Sequence, residues 1–337
     1  MNLICVLLVA FALLVPLVPV AATEADDTDG LARREEHPAL KPSYDDMAPA
    51  ERRATRLAAL EEMIRRATDE SIDRDHVASG GDRWISPRQF IAGDLAYAYN
   101  GRCMSSPLYP PTHRFESKEE QDQHRSMIVA CLLGLLEDKE HPGVRTAAAL
   151  SLSRLSVDEL KEAERAEILQ GLRRAAADDP SPVVRVQAAE AVLTLDPEAI
   201  PDESIRATLQ AIALDEGDLG WILENTDFGR YDLRRREASV EEVLLAAKDR
   251  ARMRAFELLS MMVDEVSRED LEPLLRAAEG LVRNVHLEPG TSGMKLRPNA
   301  EEIQDAKRQM FVDRLGIFIS SAQSALDERQ DASRRAE

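Results

Sequence analysis

VRTAAALSLSRL, residues 144–155, and VRVQAAEAVLTL, residues 184–195, are two versions of one segment set forty residues apart. Val144 and Val184, Arg145 and Arg185, Ala148 and Ala188, Ala149 and Ala189, Leu152 and Val192, and Leu155 and Leu195 fall in register without a gap. Each copy follows an acid and a proline, Asp138 with Pro142 and Asp178 with Pro182. The apolar positions recur at helical spacing. Proline suits the first turn of a helix, where its missing N–H would have no intrahelical partner. A fixed period of this size marks stacked units that cannot bury their apolar face alone. The expected fold is all-α, a solenoid of antiparallel helix pairs in which each pair covers the next.

Ile128 and Ile168, and Leu132 and Leu172, are also forty apart. The repeating unit is therefore a helix pair: 118–138 with 143–155, then 157–177 with 182–195. Capping boxes, in which a Ser or Asn and a Glu three residues on satisfy each other's orphan amides, predict helix starts at Ser117 with Glu120, Ser156 with Glu159, Ser239 with Glu242, and Asn299 with Glu302. A third pair starts at Pro201, and residues 215–238 interrupt it as an insertion. The pattern resumes at 240, and ARMRAFELLSMM (251–262) reads as a degenerate copy with Arg252, Ala255 and Leu259 in register. A helix over 271–283 closes the repeat region, 117–285. Residues 286–337 hold a loop and a helix over 300–327 that covers the otherwise apolar end of the array. Ala148 and Ala188 let neighbouring helices approach closely, while Leu152, Leu155, Val192 and Leu195 fill the seam.

The pattern of an acid, a few residues, Pro and then VRxxAAxALxxL resembles the HEAT repeat, in its short bacterial form. The match is good over 138–155 and 178–195 and weak over 251–262. The resemblance implies an α-solenoid that serves as a protein-binding scaffold. It also implies that Asp138 with Arg145, and Asp178 with Arg185, tie the turn between the helices of a pair.

Residues 3–22 form an unbroken apolar run, with small residues at Val20-Ala21-Ala22 followed by acids from Glu24. Residues 1–22 are read as a cleaved export signal, with an uncleaved membrane anchor as the alternative. The expected location is periplasmic or extracellular. Residues 23–47 are acidic and weakly apolar and read as a flexible linker. The N-terminal region 48–116 is expected to hold a helix over 49–68, a polar turn-like stretch over 69–85, and a short helix from Ser86 and Pro87 to Gly101. A Pro-rich loop follows at 102–116. The repeat pattern gives no match within residues 1–117.

A net charge of −19 repels phosphate backbones and anionic lipid. No nucleic-acid partner is expected, and a membrane only if residues 3–22 stay attached. Aromatics are 4% of the chain, so those that cluster mark either a small core or an interface. Six lie in 84–115: Trp84, Phe90, Tyr97, Tyr99, Tyr109 and Phe115. The insertion adds Trp221, Phe228 and Tyr231. Trp84, Tyr97, Tyr99, Tyr109, Trp221 and Tyr231 are the candidate binding residues, for a protein or peptide partner or, in the alternative, a small ligand held by segment 84–115. Cys103 and Cys131 are the residues of a possible disulfide in an oxidising compartment, or else two separate thiols. Together with His113 and His124 they lack the close ligand pair of a structural zinc site, so no metal is expected. His37, His76, His141 and His286 sit in polar stretches and are read as solvated. No nucleophile elbow, phosphate loop, HExxH or CxxC occurs. The chain is read as non-catalytic, with no cofactor.

Overall fold

The computed structural model describes residues 47–78, 86–100, 115–139, 141–200, 202–214, 240–286 and 300–336. Among them there are eleven α-helices and no strand. They are α1 Pro49–Thr68, α2 Ser71–Ala78, α3 Pro87–Tyr99, α4 Lys118–Leu136, α5 Pro142–Ser153, α6 Glu162–Asp178, α7 Pro182–Leu195, α8 Glu203–Leu214, α9 Val240–Ser260, α10 Arg268–Asn284 and α11 Ala300–Ala336. Single 3-10 turns sit at Val157–Glu159, Pro197–Ala199 and Val263–Glu265.

The starts of these helices follow from their caps. The Ser86 hydroxyl accepts from the Arg88 amide, and Pro87 takes the first helical position. The Ser117 hydroxyl accepts from the Glu120 amide. Ser267 caps α10 through the Asp270 amide. Pro142 and Pro182 open α5 and α7.

Packing follows a regular order. Within pairs, α1 contacts α3, α4 contacts α5, α6 contacts α7, α8 contacts α9 and α10 contacts α11. Between pairs, the first helices touch in the series α1, α4, α6, α8, α10, and the second helices in the series α3, α5, α7, α9, α11. One apolar cluster runs through all of them, from Leu60 and Met63 to Phe318 and Ala322. Its aromatic members are few; Phe256 of α9 and Phe318 of α11 meet at 4.9 Å between ring centroids.

The second helices share one register. Counting from an arginine, the residues three, four, seven and ten positions on are buried in four of them. They are Ile91, Ala92, Leu95 and Ala98 after Arg88; Ala148, Ala149, Leu152 and Leu155 after Arg145; Ala188, Ala189, Val192 and Leu195 after Arg185; Ala255, Phe256, Leu259 and Met262 after Arg252. The α3 member was not visible as a copy. Arg88 and Arg145 lie fifty-seven residues apart rather than forty, and Ile91 stands where the other copies have alanine. Helices α1 and α3 thus pack as one more pair on α4 and α5.

Three boundaries differ from expectation. Residues 71–78, read as turn-like, form α2, a short polar helix that lies on α3. The capping box at Ser156 starts only the 3-10 turn Val157–Glu159 and not an α-helix. Asn100 Oδ1 takes both the Ser156 amide (3.1 Å) and its hydroxyl (2.9 Å), and Glu159 pairs with Arg125. The helix begins instead at Glu162, where Glu164 reaches back to the Lys161 amide. The last helix extends to Ala336, past the expected 327, and Arg329 anchors it by donating to the carbonyls of Val263, Asp264 and Val266.

Candidate functional site

The arginines of the second helices tie one pair to the next. Arg88 is buried and bridges two carboxylates: its Nε donates to Asp73 (2.6 Å) and its Nη1 to Asp138 (2.6 Å). Asp138 in turn accepts from the His141 amide at the start of α5. Arg145 repeats this one pair further on, donating to both oxygens of Asp179 (2.7 and 3.1 Å) and to the Asp138 carbonyl (2.7 Å). Arg252 donates to the Ala213 carbonyl at the end of α8 (3.1 Å). Charge-assisted, two-pronged bonds of this kind fix orientation as well as distance.

Two corrections follow. The expected partner of Arg185, Asp178, is exposed at the last turn of α6, and its neighbour Asp179 carries the tie. The forty-residue alignment pairs Asp138 with Asp178, but the first helix of the second pair runs on through Asp178, leaving a three-residue connection where the first pair has five, and the next carboxylate is the one that meets Arg145. Arg145 closes its own turn through the Asp138 carbonyl, while the Asp138 carboxylate is held by Arg88 and the Arg145 guanidinium also joins the following turn at Asp179. Arg185 has a buried Nε without a hydrogen-bond partner, and burial lowers its pKa against the attraction of Asp179. The register counterpart of its partner falls in 215–239, outside the described residues.

The candidate binding aromatics separate sharply. Tyr99 is fully buried beneath the Arg125 guanidinium, 5.2 Å from the ring centroid, while the Arg125 Nε donates to the Tyr99 carbonyl. It is a core residue and not an interface one. Its hydroxyl has no hydrogen-bond partner, and burial pushes the phenol up to about 12. Tyr99→Phe is therefore expected to leave stability unchanged or to raise it by up to ~1 kcal/mol, because it deletes an unsatisfied buried group and keeps the ring under Arg125. A clear drop in the chemical-denaturation midpoint would contradict this. Tyr97 is partly exposed, two residues and about 200° around the helix from Tyr99. Trp84, Tyr109, Trp221 and Tyr231 lie outside the described residues.

The outward face of α3 is built from Phe90, Gly93, Asp94 and Tyr97, which recur at helical spacing opposite the buried stripe. Phe90 is 64% exposed, the highest value among the large apolar residues of the described chain. A Cβ on Gly93 would meet nothing within 4 Å, so bare backbone lies open between the two rings. Burial raises the Asp94 pKa, and among the described residues no cation or hydrogen-bond donor engages its carboxylate. A carboxyl whose folded pKa is raised weakens the fold as pH climbs through the carboxylate range, since the charged form is the one disfavoured. Asp94→Asn should therefore raise the melting temperature near neutral pH, with the gain shrinking to nothing in acid; a constant gain would show that desolvation is not its cause.

On α7, α9 and α11 the same series carries ions. Arg254 joins Glu190 and Glu257, and Arg314 reaches Glu257 (3.3 Å). Exposed Met261 follows the end of α9, and exposed Met310 and Ile317 lie on α11. A cleft of about 340 Å³ between α9 and α10 is lined in part by Lys248, Asp249, Arg252, Asn284 and His286. Here His286, read as solvated, bonds the buried Asp249 through both its amide (2.8 Å) and Nδ1 (2.9 Å).

The remaining candidates are structural. Cys131 is a free, buried thiol pushed up to about 11 by burial, and Cys103 lies outside the described residues, as does His113. His124 is buried edge-on against Phe115 at 5.3 Å, and burial lowers its pKa. Beside it Arg56 and Glu120 form a buried ion pair at 2.7 Å. No group of metal-ligating side chains occurs among the described residues, and no described helix is long and apolar enough to cross a membrane.

No family model, no curated protein and no solved structure matches this chain.

Proposed function

We propose that the chain is an exported, non-catalytic HEAT-like α-solenoid scaffold that docks a protein or peptide partner along the surface of its second helices. The observation that carries this reading is the shared register of α3, α5, α7 and α9, with a buried arginine-led stripe and ties that run from one pair to the next. Such an array offers a long, regular surface, the geometry that suits extended partners. The apolar run of residues 3–22 supports export to the periplasm or beyond.

Site-specific photocrosslinking in native cells tests it. A photoreactive residue at Thr146 or Gln187, both partly exposed on α5 and α7, should capture a stoichiometric protein partner. The same residue at Glu167 or Gln170, exposed on the first-series helix α6, should not. Capture from α6 alone, or no capture with a small molecule raising the melting temperature, would overturn the reading.

A further inference from the structure

We propose that the outward face of α3 receives a lysine or arginine side chain of a partner polypeptide, in a slot floored by Gly93, walled by Phe90 and Tyr97 and closed by Asp94. This rests on the scaffold reading and names the chemistry of the partner.

Three observations converge on it. The first is charge. Asp94 is partly buried, yet this chain supplies no described cation for it. Several carboxylates elsewhere are engaged, Asp73 and Asp138 by Arg88, Asp179 by Arg145, Glu190 by Arg254 and Asp249 by His286, whereas at Asp94 burial acts alone and raises the pKa. A desolvated carboxylate without a partner is costly, and the cost is relieved when a cation docks.

The second is shape. Phe90 and Tyr97 sit seven residues apart, about two helical turns, on the same side of α3. Between them Gly93 contributes no side chain, and a Cβ there would meet nothing within 4 Å. Seven residues of helix put the two aromatic positions about 10 Å apart along the axis, room for an aliphatic stem between them. An aromatic ring on each side attracts the cationic head through its face, and Arg more strongly than Lys.

The third is the wider field. The chain carries a net charge of −19, which draws basic segments toward it and excludes acidic ones. That field alone would act everywhere on the surface. Phe90, Gly93, Asp94 and Tyr97 add a local reason for one register, and an aromatic residue 64% exposed on an otherwise well-buried helix marks where it would be.

The test is a titration of the full chain, followed by backbone NMR, with a short Gly–Ser peptide that carries Arg, Lys or neutral citrulline at its centre. The Arg peptide should shift the amides of 90–97, the Lys peptide should do so less, and the citrulline peptide should not. Asp94→Asn and Gly93→Leu should each weaken the Arg peptide by roughly tenfold or more, the strength expected of a partly desolvated cation between rings and a carboxylate. Gly93→Leu fills open space and removes a helix-interior glycine, so its melting temperature should hold or rise. Glu203→Gln, an exposed acid on α8, should leave affinity unchanged. Shifts spread over the whole acidic surface, or equal weakening by Glu203→Gln and Asp94→Asn, would reduce the effect to diffuse attraction and overturn the proposal. If the natural partner crosslinks from Thr146 with Asp94→Asn and Gly93→Leu in place as strongly as without them, the scaffold reading stands and the slot falls.

Discussion

Replacing Arg88 by Met is expected to destabilise the fold by about 3–5 kcal/mol, a fall in melting temperature on the order of 10 °C for a chain of this size. Arg88 is 1% exposed and holds Asp73 and Asp138 at 2.6 Å each. Met keeps most of the stem volume, so packing loss is small and the effect isolates the charge. Two buried carboxylates would lose the guanidinium that neutralises them, which is dearer than the loss of the bonds alone. The check is a cycle: adding Asp73→Asn and Asp138→Asn to Arg88→Met should recover more than half of the loss, because neutral amides tolerate the pocket. Arg88→Met within ~1 kcal/mol of the parent would refute the role given to this tie.

Ala188→Glu should be worse, about 5 kcal/mol or more, enough to abolish a cooperative transition. Ala188 has no exposed surface and lies on α7 in the register that faces its neighbours. The carboxylate would have to displace a helix or lie in an apolar seam. Ala188→Gly is the control: it leaves the seam open and costs about 1 kcal/mol from helix propensity. Thermal unfolding followed by circular dichroism reads both, and an Ala188→Glu chain that melts within a few degrees of the parent would mean α5 and α7 do not pack as described.

The sequence carried the helices well where apolar spacing and caps agree. Pro142 and Pro182 open their helices as read, and the stripe Ala148, Ala149, Leu152, Leu155 is buried as spacing implies. It failed where a side chain's reach decides. Asp178 and Asp179 are adjacent and identical, and only the turn geometry says which of them meets Arg145. Ser156 carried a sound capping pattern, but Asn100, distant in sequence, captured it. Polar α2 has no apolar period to announce it; its role is to present Asp73 to Arg88, a relation invisible along the chain.

The aromatics show the same division. Their clustering in 84–115 did not say which of them pack inward. Tyr97 and Tyr99 differ by two positions and end on opposite sides of α3, one beneath Arg125 and one outward. Phe90 was noted only as part of a cluster, and Asp94 carried no signal at all, because a carboxylate without a partner looks in sequence like any surface acid.

The ties at Arg88 and Arg145 also bear on how such a chain can change length. Each joins a helix to the turn of the following unit, so excising α6 and α7 together would take both Asp179 bonds from Arg145 and leave its charge without that carboxylate. A deletion that respects helix boundaries would still cut through an ionic joint. Gain or loss of whole units by recombination is therefore tolerated only when the incoming turn brings an aspartate at the matching height, which gives this architecture a built-in proofreading of its own register.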